Sequence, residues 1–272
     1  MIQTLNRSIF VAGEKHYTKD GKLYTVPTHT HNGRLMTGAT HTSKSEYLYH
    51  KSNDGGYAEI NSKKNMRELP IYEISIDLNE EETSVEFNSL VADPAHEISF
   101  QTFSQQKRFQ FNDEEQVITG VAISADTPIY RFDSDSNEEY YVVFTKQAIK
   151  DIIHDYARRG NFNKVNIEHN SSETVDGIYM IHSYQIDDQK GFTAPQRFKD
   201  VNDGSWIVSY KVTDADVWAK AKAGDFTGYS VEGVFQMKST DRTLETEMMS
   251  KIYEALIDLS GTIKHNKLNT IK

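Results

Sequence analysis

The stretch K-A-G-D-F-T-G-Y-S-V-E-G-V-F, residues 222–235, sets Ser230 after an F-T-G-Y turn and at the head of an alternating apolar run. Upstream, in V-N-I-E-H-N, His169 is expected to end a short apolar strand. A serine hydroxyl is a weak nucleophile near neutral pH unless a base takes its proton. One serine and one histidine at strand ends can supply that pair, the histidine acting first as base and then as acid to the leaving amine. A third group must fix the imidazole tautomer. Asp176, Glu86, Asp241 and Glu245 are the carboxylates weighed, and spacing does not choose among them. Gly228 would let the backbone turn tightly before the hydroxyl, and Gly233 would leave open space after it. Backbone N–H groups near such glycines could form an oxyanion hole. G-x-S-x-x-G is not the hydrolase elbow G-x-S-x-G. Each residue also has a plainer reading: Ser230 as a small residue in a crowded strand, His169 as a solvent-facing histidine between Glu168 and Asn170.

Other chemistries are less well supported. The chain has no cysteine, which removes disulfides, thiolate metal sites and cysteine nucleophiles together. His29-x-His31 would point both rings to one face of a strand, with His41 nearby, as a metal site requires. Loop histidines are commoner than ligands and no acidic support is evident, so neither a metal nor a cofactor is expected. Trp206, Trp218 and the tyrosines are scattered through strands and a helix, where packing explains them better than a carbohydrate platform does.

Of 272 residues, 40 are acidic and 30 basic, for a net charge of −10. Such a surface repels phosphate backbones, and Arg158-Arg159 and Lys63-Lys64 are too short to make a basic stripe, so nucleic-acid binding is disfavoured. No apolar run approaches the roughly 20 residues that span a bilayer. The opening M-I-Q-T-L-N-R-S-I-F lacks the apolar core of a secretory signal, and a cytoplasm-like compartment is expected.

The elements that must hold Ser230 and His169 can be read along the chain. The first 65 residues carry five of the ten histidines and read as short strands and turns, with a hairpin signal at Asn32-Gly33. Residues 66–272 form the second unit. Strands are expected at 71–78, 84–91, 117–123, 129–132 and 140–144. A helix follows, capped by Thr145, with Ile149, Ile152, Ile153 and Tyr156 on its apolar face and two arginines and Gly160 at its end. Then come strands at 175–186 and 205–212, a short helix over 214–223 closed by Gly224, and the strand of Ser230. An amphipathic helix over about 244–259 presents Met248, Ile252, Leu256 and Leu259. Strands dominate, so the fold class is α+β around a mostly antiparallel sheet or barrel with peripheral helices.

With those pieces in order, the stretch from about Ile118 to Phe235 resembles the XkdF-like family of phage serine proteases, relatives of prohead maturation proteases. The resemblance rests on V-I-T-G-V-A-I, E-Y-Y-V-V-F-T-K, N-F-N-K-V-N-I-E-H-N, V-D-G-I-Y-M-I-H-S-Y-Q-I-D, K-D-V-N-D-G-S-W-I-V-S-Y-K-V and G-D-F-T-G-Y-S-V-E-G-V-F. It implies a herpesvirus-assemblin-like fold with His169 as base and Ser230 as nucleophile. S-L-V-A-D-P-A-H, residues 89–96, resembles the S-L-V-x-x-P-A strand of prohead proteases. There that strand often follows the serine; here it precedes both residues, which suggests a permuted order and makes Glu86, beside Asp176, a candidate third member. The implied function is head maturation: cleavage of scaffold and major capsid protein segments inside an assembling procapsid, in the host bacterial cytoplasm. Relatives of this fold often work as dimers, so a homodimer is one expectation, with no nucleic-acid or membrane partner. The alternative is a virion or procapsid structural protein that keeps the protease fold without activity.

Overall fold

The computed structural model describes residues 5–7, 16–24, 28–31, 34–38, 42–51, 57–59, 68–79, 83–91, 109–133, 136, 138–170, 174–247, 249–250 and 253. The first strands are short: β1 (Leu5–Arg7), β2 (His16–Tyr17), β3 (Leu23–Tyr24), β4 (Thr28–His31), β5 (Arg34–Thr37), β6 (Tyr49–Lys51) and β7 (Tyr57–Glu59). Next come β8 (Pro70–Ser75), β9 (Ser84–Val91), β10 (Gln110–Asn112), β11 (Val117–Ile123), β12 (Ile129–Asp133) and β13 (Glu138–Phe144). Helix α1 (Lys146–Arg158) leads to β14 (Val165–Ile167), β15 (Ile178–Gln185) and β16 (Trp206–Val212), and helix α2 (Ala215–Ala223) precedes the long β17 (Gly228–Thr243).

The main sheet runs β12-β13-β8-β17-β9-β14, with β1 also paired to β17. Its β13–β8 and β14–β9 pairings are parallel and the others antiparallel. A second sheet, β10-β11-β16-β15, is antiparallel throughout. The class is α+β, mostly antiparallel, with helices at the periphery, as the alternating apolar patterns imply.

The main core lies between the two sheets and α1. Ile118, Trp206, Val208 and Tyr210 of the second sheet meet Val142, Phe144, Tyr229 and Phe235 of the main one, with Ile149, Ile152 and Tyr156 from α1. Tyr229 sits against Phe109 and Tyr210, with ring centroids 4.7 and 5.3 Å away. It lies so close to β11 that a Cβ at Gly120 would come within 2.9 Å of its ring. The Thr145 hydroxyl accepts from the Ala148 N–H at the start of α1, while Arg158 and Arg159 pair with the buried Asp155 near its end. Gly160 follows with φ 69°, where glycine carries no Cβ penalty. Helix α2 takes its N-cap from Asp214, and Gly224 closes it at φ 88°.

The N-terminal strands contribute to this body. β1 pairs Leu5, Asn6 and Arg7 with Met237, Gln236 and Phe235 of β17, so the expected break near residue 65 does not separate all of the first segment from the main sheet. β4 and β5 pair with His31 opposite Arg34; Asn32 and Gly33, the expected hairpin signal, lie outside the described residues. His16 and His50 are buried with ring centroids 5.3 Å apart, and His50 stacks on Tyr130 at 6.1 Å. Burial pushes His16 down to about 4, and burial with the His16 charge pushes His50 down to about 3. Both are therefore neutral near pH 7. Residues 244–247 begin a helical turn; Met248, Ile252, Leu256 and Leu259 of the expected helix lie outside the described residues.

One close approach controls the site strand. β17 and β9 slip register between Glu232 and Gly233, where a β-bulge is placed. A Cβ at Gly233 would lie 2.0 Å from the Ser84 carbonyl oxygen and 2.8 Å from the Val85 Cα. The expected open space after the serine is instead occupied by backbone, and only glycine fits. Gly233→Ala should therefore cost about 1–3 kcal/mol, the usual penalty for overpacking. Denaturant melts of wild type and variant measure it, and equal midpoints would contradict the close approach.

Candidate active site

Three adjacent strands present the polar groups. β9 pairs on one edge with β17, where Ser89 lies directly opposite Ser230. On its other edge it pairs with β14, where Ser89 lies beside Asn166. Directly opposed residues leave the same face of a sheet, and in an antiparallel pair their Cβ atoms are about 4.5–5.5 Å apart. Asn166, Ser89 and Ser230 thus form a row across one face. Glu232, two residues beyond Ser230 in an extended strand, joins that face. Asn88 and Tyr229 point the other way, where the Asn88 Nδ2 donates to the Tyr210 Oη at 3.0 Å within the core.

His169 reaches the row from a turn. The strand expected to run up to it stops at Ile167, and Glu168 and His169 both take left-handed backbone angles, φ 51° and 58°. The Asn170 N–H donates to the Ile167 carbonyl at 3.0 Å, closing a four-residue turn of the I′ kind with positive φ at both central positions. Such angles cost non-glycine residues about 1–3 kcal/mol, a strain that collects at functional sites. The turn is tied to the site strand, since the Glu168 N–H donates to the Leu90 carbonyl at 3.0 Å. It folds the imidazole over β9, with Nδ1 3.1 Å from the Ser89 Oγ. His169 and Ser230 therefore serve the same face, although 61 residues separate them.

The carboxylate beside the imidazole is Glu232. Its Oε2 is 3.6 Å from the His169 Nδ1 and accepts a hydrogen bond from the Asn166 Nδ2 at 3.0 Å. Glu86 and Asp176, proposed from the sequence as third members, are both exposed, as are Asp241 and Glu245. Burial pushes the Glu232 carboxyl above its ordinary value; the Asn166 donor opposes this and the Glu86 charge adds to it. Glu232 was not among the carboxylates weighed from the sequence, although its signal is local: S-V-E on a strand puts serine and glutamate on one face. Ser89 and Asn166 carried no comparable signal, since only strand pairing brings them in.

Gly228 does not make the turn expected of it. It opens β17 and pairs with Val91, and the chain reverses earlier, at Gly224. Ser230 is 2% exposed and Ser89 is fully buried. Among the described residues no group of three or more His, Asp or Glu side chains is placed to hold a metal. His29 and His31 lie on β4, and His41 lies outside the described residues. No helix among the described residues is long and apolar enough to cross a membrane.

The raised pKa of Glu232 carries a sign for stability. A carboxyl held above its unfolded value stabilises the fold while protonated, and that contribution is lost as pH rises through its folded value. Ionised Glu232 is therefore a burden at neutral pH that an amide would not carry. Glu232→Gln should melt at or above the wild-type temperature at pH 7–8, with the gap closing as pH falls toward 4. A variant clearly less stable than wild type at pH 8 would contradict the assigned environment.

Comparison with known proteins finds a sequence resemblance over the middle of the chain. Residues 107–238 match the family described as "Putative phage serine protease XkdF", a span that holds both His169 and Ser230 and begins after β9. The chain is also similar to the phage-like element PBSX protein XkdF of Bacillus subtilis (strain 168), at 23% identity over 190 residues. That alignment takes in 68% of this chain and 60% of the relative. No solved structure gives a significant match.

Proposed function

We propose that this chain, whose residues 107–238 match the family described as "Putative phage serine protease XkdF", is a serine endopeptidase of phage head maturation. The observation that carries this reading is the shared face: Ser230 stands opposite Ser89, and His169 reaches the Ser89 hydroxyl from the same side. The Ser230 Oγ attacks the scissile carbonyl carbon while its proton passes to His169, and backbone N–H groups hold the oxyanion. The imidazolium then returns the proton to the leaving amine as the C–N bond breaks, and water releases the acyl group by the same route. Substrate binding must uncover Ser230 for this to occur. Scaffold and major capsid protein segments within the procapsid, in the host bacterial cytoplasm, are the proposed substrates. The phage context of the family supports them.

The burial of Ser230 favours one rival: a virion component that keeps the fold and does not cleave. Intact-mass measurement of the protein produced together with scaffold and capsid protein separates the two. Wild type should generate cut products, and Ser230→Ala should lose them by at least about 10³-fold while keeping its fold. His169→Ala should lose them to a similar extent. Cleavage retained in Ser230→Ala would overturn the mechanism, and its absence in wild type would favour the structural reading.

A further inference from the structure

The Nδ1 edge of His169 is enclosed by groups that the serine–histidine reading does not use. The Ser89 Oγ lies at 3.1 Å and the Glu232 Oε2 at 3.6 Å. Asn166, fully buried, gives its Nδ2 to that same Oε2 at 3.0 Å, while its Oδ1 has no hydrogen-bond partner among the described residues. The Asn166 amide is thus oriented by the carboxylate and clamps it in return. At 3.6 Å the carboxylate is too far for a good hydrogen bond to Nδ1 but near enough to act on its charge. Ser89 occupies the hydrogen-bonding position itself.

We propose that Ser89 and Glu232 are the positioning residues of His169, Ser89 by accepting a hydrogen bond from Nδ1–H and Glu232 by offsetting the imidazolium charge. This rests on the assignment of Ser230 and His169 and supplies the third group that assignment requires. Nδ1 keeps its proton throughout. Nε2 is left as the basic nitrogen that takes the Ser230 proton and later gives it to the leaving amine, so the proton count balances. The task usually given to one carboxylate is divided here: a neutral acceptor fixes direction and a charged group behind it supplies the field. The other carboxylates near this edge, Glu86 and Glu168, are exposed and screened by water.

Nitrogen-15 NMR of the histidine rings tests the division without requiring activity. Wild type should show His169 protonated at Nδ1 in its neutral form. Glu232→Gln should lower the His169 pKa by about one unit, as loss of an opposite charge at this range does. Ser89→Ala should leave that pKa nearer wild type but mix the tautomers, and Ser89→Thr should restore the Nδ1–H form. In cleavage assays both Glu232→Gln and Ser89→Ala should lower kcat by roughly 10²-fold with little change in KM. Unchanged His169 spectra in both variants, or a wild-type ring protonated at Nε2, would overturn the assignment. The expected spectra in a wild type that cleaves nothing would leave it standing and fault the protease reading instead.

Discussion

Strand β9 is paired on both edges, antiparallel to β17 and parallel to β14, and each polar group of the site takes its place from that double pairing. The first pairing sets Ser89 against Ser230; the second sets it beside Asn166 and ties the turn that carries His169 to the end of the strand. Because side chains alternate, a one-residue slip of β9 would turn Ser89 into the core and bring Asn88 to the site face. Two features oppose such a slip. Asn88 is bonded to Tyr210 in the core, and Gly233 lies against the backbone at Ser84 and Val85.

The same burial that fixes these groups creates a tension that stability alone would not select. Glu232 is a carboxylate with 5% exposure, pushed toward its neutral form by burial and relieved in part by one amide donor. Two non-glycine residues in left-handed conformation add strain beside it. Structures tolerate such features where function requires them, and perturbed carboxyls and strained turns collect at working sites. Elsewhere the main sheet is held by ordinary means: tight aromatic contacts around Tyr229, a capped α1, and an apolar core between the sheets.

Much of this was legible in the chain. β9 and β11 fall where the apolar patterns put them, and Thr145, Asp214, Gly160 and Gly224 bound the helices as their chemistry dictates, because capping and strand alternation are local. The histidine was placed less well. V-N-I-E-H-N reads as one strand up to His169, but the chain turns at Glu168, and neither residue is a type that announces positive φ. Ser89 and Asn166 were invisible for a different reason: their roles come from pairings between strands far apart in sequence, which no local pattern encodes. Glu232 stood in plain view two residues from the serine, and the period of a strand was enough to find it. S-L-V at 89–91 lies beside the serine strand despite preceding it by some 140 residues.

The most direct measurement is to find which hydroxyl reacts. Two serines share the row, and a fluorophosphonate marks the one that an imidazole activates. Treatment of the purified protein, digestion, and mass spectrometry of the phosphonylated peptide locate the bond. The adduct is expected on Ser230, with its loss in His169→Ala. An adduct on Ser89, or one on Ser230 that survives in His169→Ala, would contradict it.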